Sequence, residues 1–297
     1  RFRLVSTFSG ISIVAIPILS FSFNLIMLNI YSYIKYIYKK IMNEIATYPS
    51  LKNKVVLITG GAQGIGESIV EQFIKQQSKV AFLDIDEKAA ENLVNRIKLE
   101  YKQTPLFIKC DLKDIDQLKN SISLVREKLG SISVLVNNAA NDERHDIDSV
   151  TPEFWDDRMN INLRHYFFAA QSVYKDMKEL GWGTIVNIGS FSWMIAQGGM
   201  PGYTTAKSAV MGLTRTLARD LGVYNVRVNC IVPGWIITDR QKKLWLTDEI
   251  KKNQLERQCI KRMLVPEDIS KAVLFFASEQ SSGCTAQNYV IDGGIVN

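Results

Sequence analysis

Histidine is nearly absent from this chain, with His145 and His165 the two examples among 297 residues. Cysteine is scarce too, and Cys110, Cys230, Cys259 and Cys284 are scattered with no C-x-x-C spacing. Together these shortages exclude a zinc-ligand pattern and leave the thiols to be read as free, buried side chains of a reducing compartment. After residue 50 there is no Pro- or Ser-rich linker, internal repeat or low-complexity stretch. One domain is therefore the expectation. A charge excess is also missing from most of the chain. The formal net charge is +6, from 36 basic and 30 acidic residues, but Arg1, Arg3, Lys35, Lys39 and Lys40 lie within 1–41 beside no Asp or Glu, leaving 31 basic against 30 acidic residues. A nearly neutral body carries no electrostatic footprint for nucleic acid.

What the N-terminal stretch does have is hydrophobicity. Ile11 to Ile34 contains no charged residue and is long enough to cross a bilayer. Tyr31, Tyr33, Tyr36 and Tyr38 resemble an interfacial belt, and Lys39 and Lys40 would hold the body in the cytosol. Yet the segment does not begin with Met, and its Ile, Ser, Phe, Tyr, Leu, Asn and Lys are what translation of AT-rich upstream DNA produces. Met42 opens a stretch of about 256 residues. Two readings stand: a membrane anchor, or a mistaken start ahead of a cytoplasmic protein. In both, 1–41 is a hydrophobic extension and 42–297 the catalytic domain, and the extension is kept out of the fold argument.

From Lys54 onward, short β-branched runs alternate with amphipathic stretches. The runs at 55–59, 80–85, 106–110, 134–138, 184–188, 226–232 and 288–292 predict seven strands. Strands alternating with helices imply an α/β fold: a doubly wound, seven-stranded parallel sheet of Rossmann type. Ligands bind such sheets beyond the carboxyl ends of the strands, so the turns after each strand are the places to search.

The first of these turns reads Thr59-Gly60-Gly61-Ala62-Gln63-Gly64-Ile65-Gly66, between a strand and a helix. Glycines let the backbone approach a pyrophosphate, which then sits on the N–H groups and positive dipole end of the helix. Asp84 ends the second strand, where a carboxylate can accept from both ribose hydroxyls and would repel a 2′-phosphate, favouring NAD over NADP. Tyr203 and Lys207 are four apart on a predicted helix and share a face. An ammonium beside a phenol stabilises the phenolate and brings a group of pKa near 10 toward working range. Ser190 lies just past the fifth strand, where its hydroxyl can meet the phenol over one substrate atom, while Ser192 reads as a turn residue. Asn162 falls within a predicted long helix over 153–179, where it bonds backbone, holds a water or faces solvent.

In order and spacing, T-G-x-x-x-G-x-G at 59–66, Asp84, Asp111-Leu112, Asn137-Asn138-Ala139-Ala140, Asn162, Ser190, Tyr203-x-x-x-Lys207 and Pro233-Gly234 resemble the short-chain dehydrogenase/reductase family over residues 50–297. The resemblance implies an oxidoreductase in which Tyr203 is the acid/base, Lys207 lowers its pKa and binds the nicotinamide ribose, Ser190 positions the reacting oxygen, and Asn162 holds a proton-relay water. It implies that Asp111 and Leu112 flank the adenine, and that Asn138 and Ala139 pass beside the cofactor. It also implies that Pro233, Ile236 and Thr238 engage its carboxamide end, with Gly60, Gln63, Gly64, Ile65 and Gly66 around the phosphates, in a homotetramer or dimer built on the long helices.

A narrower likeness is to the bacterial NAD-dependent D-xylose 1-dehydrogenases and related aldose dehydrogenases, carried by YPSLKNKVVLITGG, VNNAANDERHDIDSVTPEFWDDRMNINLRHYFF, VPGWIITDRQ and QCIKRMLVPEDISKAVLFFAS. Asn141, Asp142, Arg144 and His145 then lie past the fourth strand, either bonding sugar hydroxyls or forming an exposed charged loop. Trp193 and Trp235 either face a pyranose ring or cover the cleft. The Gly- and Met-rich loop 194–202 and a tail without a terminal aromatic depart from that subgroup. The reaction implied is oxidation of an aldose at C1 to the aldonolactone. Alternatives are another alcohol or ketone of 3-oxoacyl, steroid or polyol type, a lipid or retinoid oxidoreductase if the anchor is real, and a catalytically silent nucleotide-binding scaffold.

Overall fold

The computed structural model describes residues 46–296. The hydrophobic stretch 1–41 and Met42, with the two readings attached to them, lie outside the described residues. Among the described residues no helix is long and apolar enough to cross a membrane.

Strands whose side chains are apolar on both faces need cover on both faces. β1 (Val55–Thr59), β4 (Val134–Asn137), β5 (Gly183–Ile188) and β6 (Val226–Pro233) are buried along their whole length. With β2 (Lys79–Asp84), β3 (Leu106–Lys109) and β7 (Asn288–Ile291) they form one parallel sheet in the order β3-β2-β1-β4-β5-β6-β7. All seven predicted strands are present. Chain order reverses at β1, which pairs with β2 on one side and β4 on the other. That split is the topological switch point of the sheet.

The connecting helices are α1 (Gly64–Lys75), α2 (Glu87–Tyr101), α3 (Ile115–Leu129), α4 (Pro152–Met159), α5 (His165–Leu180), α6 (Pro201–Leu221), α7 (Asp239–Leu244), α8 (Asp248–Arg257) and α9 (Pro266–Ala277). Asp86 and Asp114 start α2 and α3 by accepting from the first-turn N–H groups of Ala89, Asp116 and Gln117. The single helix predicted over 153–179 is instead α4 and α5 joined by a π-helical turn, Asn160–Arg164. Asn162 is the reason visible in the structure: its amide donates to Arg158 O at 3.0 Å and to Asn141 O at 3.1 Å, drawing backbone acceptors to a side chain inside the widened turn.

Helices α1 and α2 are joined by two carboxylates, Glu67 and Glu71, and Glu71 is the more heavily bonded. Glu71 takes bonds from Lys75 (2.6 Å), Arg96 (2.8 Å) and Tyr101 (2.8 Å). Burial opposes its ionisation, but the three donors outweigh burial and lower its pKa to about 2 from 4.5. A carboxyl depressed in the fold stabilises the protein above its unfolded pKa, and that contribution disappears as pH falls from 4.5 to about 2. Glu71→Gln is expected to lower unfolding free energy by about 2 kcal/mol at neutral pH, with the deficit vanishing toward pH 2, as measured by urea denaturation across that range.

Candidate active site

The turn after β1 is held from two sides. Gly60 N–H donates to Leu83 O at 2.7 Å, and Ala62 N–H donates to the Asp84 carboxylate at 2.8 Å, which ties the turn to the end of β2. From the β4 side, Asn138 donates its amide to Thr59 O (3.1 Å) and Gly60 O (2.8 Å), while Thr59 Oγ1 accepts from Asn138 N–H and Ala139 N–H. Gly60 and Gly64 have φ of +67° and +60°, in the left-handed region. At Gly66 a Cβ would sit 1.8 Å from Gly60 O and 2.7 Å from the Asn138 amide. The N-cap residue of α1, Gln63, makes no side-chain cap and bonds Asp86 instead, so the first-turn N–H groups are not covered by their own cap residue.

These residues open onto a cleft of about 900 Å³, which Gly60, Gln63, Gly64, Ile65, Gly66, Asp84, Asp111, Leu112, Asn138, Ala139 and Thr238 all line. Five basic residues also line it, and each is paired with a carboxylate: Arg96 with Glu67, Glu71 and Glu100, Lys113 with Asp157, Arg158 with Glu143 and Asp157, Arg240 with Asp142, and Lys242 with Asp239.

A second cavity, of about 720 Å³, shares Ile65, Asn138, Ala140 and Thr238 with the first. Ser190, Tyr203, Lys207, Pro233, Trp235 and Ile236 line it, as does the loop through Ile195, Gln197, Gly198, Gly199 and Met200. Ser190, just past β5, and Tyr203 and Lys207, on α6, therefore face one space beside the glycine turn. Ser190 Oγ donates to Ser192 Oγ at 3.0 Å and accepts from Ser192 N–H at 3.2 Å, so Ser192 is bonded to Ser190 rather than merely filling the turn. Burial pushes the Tyr203 phenol up to about 12, with the Ser190 hydroxyl and the Arg144 cation pulling it down and Asp142 raising it. Lys207 is 1% exposed, and burial brings its pKa down to about 7. Its Nζ donates to Tyr166 OH and to Ile188 O, each at 2.8 Å.

Three sequence expectations change. Asn162 is fully buried and its amide is committed to backbone, donating to Asn141 O and accepting from Asn141 N–H at 2.8 Å; it clamps the loop after β4. Asn141 lines the larger cleft instead of the cavity over Ser190, and its side-chain oxygen accepts from Glu143 N–H. His145 is neither solvated nor free for a ligand. Its Nδ1 faces Glu143 O at 2.9 Å and its Nε2 accepts from Gly202 N–H at 3.2 Å, capping the start of α6, the helix that carries Tyr203.

Around the cavity, Trp235 contributes its ring, its N–H being held by Gln241 at 2.7 Å, whereas Trp193 does not line the space. Asp142 accepts from Arg240 and Gln241, tying the loop after β4 to α7. Arg144 lies over the Trp245 ring at 5.3 Å, and two buried donors, Arg144 Nη1 and Trp245 Nε1, reach no acceptor among the described residues. Sequence reasoning missed Tyr166, Gln241 and Trp245. Tyr166 reads as one more apolar helix position in HYFF, Gln241 ends the stretch VPGWIITDRQ with no role of its own there, and Trp245 belongs to no motif.

Because a Cβ at Gly66 would strike backbone rather than a movable side chain, Gly66→Ala is expected to cost about 1–3 kcal/mol, read as a fall in chemical denaturation midpoint.

The family described as enoyl-(acyl carrier protein) reductase matches residues 60–296. A probable galactose dehydrogenase of Rhizobium meliloti is 44% identical over 248 residues, spanning 84% of this chain and 97% of the relative. The D-xylose 1-dehydrogenase of Caulobacter vibrioides is 42% identical over 249 residues, spanning 84% and 98%. Among solved structures, the ligand-free aldohexose dehydrogenase of Thermoplasma acidophilum superposes with a TM-score of 0.73 at 31% identity, covering 84% of this chain and 96% of that one. The seven-stranded parallel sheet, the glycine turn at its switch point and these likenesses agree: the chain belongs to the short-chain dehydrogenase/reductase family of oxidoreductases.

Proposed function

We propose that this protein is an NAD-dependent dehydrogenase that oxidises an aldose at C1 to the aldonolactone. The observation that carries the reading is the convergence of Ser190, Tyr203 and Lys207 on a cavity continuous in its lining with the glycine-turned cleft. The names of the relatives, galactose and D-xylose 1-dehydrogenases, support a sugar as the small-molecule substrate. So does the chemistry of the rim. Arg144 Nη1 and Trp245 Nε1 are donors without acceptors, which hydroxyl oxygens would satisfy, and Trp235 offers an apolar ring.

The cleft fits a dinucleotide. Positive φ at Gly60 and Gly64 and the close approach of Gly66 to Gly60 O make the tight turn that presents the α1 N-terminus, with its uncapped N–H groups, to a pyrophosphate. Asp84 would meet the adenosine ribose, Asp111 and Leu112 the adenine, and Ile236 and Thr238 the carboxamide end. All five cations of the lining already have carboxylate partners, so none is left to receive a 2′-phosphate, which favours NAD. A bound oxidised nicotinamide supplies the hydride acceptor and a positive charge. Within the protein, the Lys207 ammonium stabilises Tyr203 as the phenolate, Ser190 orients the anomeric oxygen, and the phenolate takes the proton of that hydroxyl to become the phenol as the C1 hydride leaves for the nicotinamide. Asn162 acts by holding the loop at Asn141. The four free cysteines suit a cytoplasmic location, and the exposed Phe167 on α5 suits a homo-oligomer built on the long helices.

Reduced-nicotinamide absorbance with a panel of pentoses, hexoses, polyols and acyl ketones, each with NAD or NADP, tests the reading. Aldose oxidation with NAD is expected, rising toward alkaline pH because burial holds Tyr203 protonated at neutrality. Activity confined to ketones with NADPH would overturn it. Tyr203→Phe should abolish turnover while leaving NAD binding intact by fluorescence titration. Asp84→Ala should narrow the preference for NAD over NADP in kcat/KM by about tenfold or more.

A further inference from the structure

We propose that Tyr166 is a positioning residue for Lys207: its hydroxyl accepts one N–H of the ammonium, spends its own proton on Ile188 O, and so keeps the lysine charged with one N–H turned to the cavity. This rests on the role assigned above to Lys207. The two long-range partners of Nζ are Tyr166 OH and Ile188 O at 2.8 Å each, and Tyr166 OH itself reaches Ile188 O at 2.9 Å. A carbonyl oxygen can only accept, so the tyrosine proton points at Ile188 and a lone pair is left for Nζ. An ammonium has three donors and no acceptor. With two donors committed, the third is the one available to a ligand in the cavity that Lys207 lines.

The surroundings make this acceptor matter. Among the described residues no carboxylate bonds Lys207, and the groups facing it are Tyr203 on its own helix, Tyr166 and His165 on α5, Cys230 on β6 and the Ile188 carbonyl ending β5. None of these side chains is charged near neutrality. Burial holds the His165 imidazole down at about 3, keeps the Tyr166 phenol well above its ordinary 10, and raises the Cys230 thiol to about 12. The ammonium is therefore solvated by dipoles alone, and the Tyr166 oxygen is one of two. His165 packs against the Tyr166 ring with centroids 4.6 Å apart and planes tilted by 57°, and its Nε2 lies 3.2 Å from Ala139 O, so the tyrosine is braced against the loop just after β4. The main structural alternative, a tyrosine that merely fills the core, would require no partner for its hydroxyl beyond Ile188.

Loss of one acceptor disfavours the charged lysine, which in turn weakens stabilisation of the Tyr203 phenolate and moves the acid limb of sugar oxidation to higher pH. The experiment is the pH profile of kcat and KM for the full-length wild type, Tyr166→Phe and Tyr203→Phe, with NAD and D-xylose or D-galactose. Tyr166→Phe is expected to lower kcat about 3- to 10-fold near pH 7, with the deficit shrinking toward alkaline pH and sugar KM within about twofold of wild type. A profile that superimposes on wild type, or that is scaled equally at every pH, would overturn the proposal. If Tyr166→Phe does not fold, a difluorotyrosine placed at 166 keeps the shape and weakens the acceptor; the limb should move the same way, and an unmoved limb counts against the proposal equally. If Tyr203→Phe stays active, the assignment of the site itself fails. If Tyr203→Phe is dead while the Tyr166→Phe profile is unchanged, only the present inference fails.

Discussion

A lysine ammonium with 1% exposure is the constraint around which the site is built. Removing such a charge from water costs several kcal/mol unless hydrogen bonds replace the lost hydration. Here the replacement comes from three elements at once. β5 must end so that Ile188 O points at Nζ, the π-helical turn must deliver α5 with Tyr166 facing inward, and β6 must bring a neutral thiol, Cys230, rather than a second charge. The burial that demands these partners also lowers the lysine to about 7 and raises Tyr203 to about 12. One desolvated pocket thus sets both groups, in opposite directions, because it penalises the charged form of each.

The polar residues around this pocket mostly serve backbone. Asn138 holds the glycine turn, Asn162 holds the loop after β4, and His145 caps α6. Each replaces a solvent contact that a strand end or helix start loses on being buried. Behind them, Asn137 donates to Asn187, and Asn187 to Thr214, in a fully buried relay across β4, β5 and α6. Rigid turns of this kind let a cleft form without side chains collapsing into it. The groups that face the two cavities for a ligand are the α1 N-terminus, Tyr203, the partnerless donors of Arg144 and Trp245, and Asp84 and Ser190, whose oxygens also serve the turns that carry them.

Which residues fell into each class was legible to different degrees. The glycine turn could be read because a backbone requirement, positive φ at Gly60 and Gly64, restricts residue type at defined positions. Tyr203 and Lys207 could be read because helix geometry puts positions four apart on one face. For His145 and Asn141 the sequence left two readings open for the opposite reason. A polar residue in a loop after a strand looks the same in sequence whether it faces a ligand or a neighbouring N–H. Tyr166 was invisible, since in HYFF a tyrosine is indistinguishable from a core aromatic until its hydroxyl is seen against Nζ.

By itself, the sequence determined the seven strands, the parallel α/β class and the spacing of the hydride-transfer set, all of which follow from local periodicity and from residue types that backbone geometry demands. Tertiary structure alone decided which polar atoms are spent and which are free. It broke the helix at Asn162, turned His145 and Asn138 into supports, covered the cavity with α7 and α8, and gave Lys207 its two acceptors. The physical reason is that hydrogen-bond partners and burial are long-range properties. Lys207 and Tyr166 are 41 residues apart in sequence, and nothing local to either states that they meet.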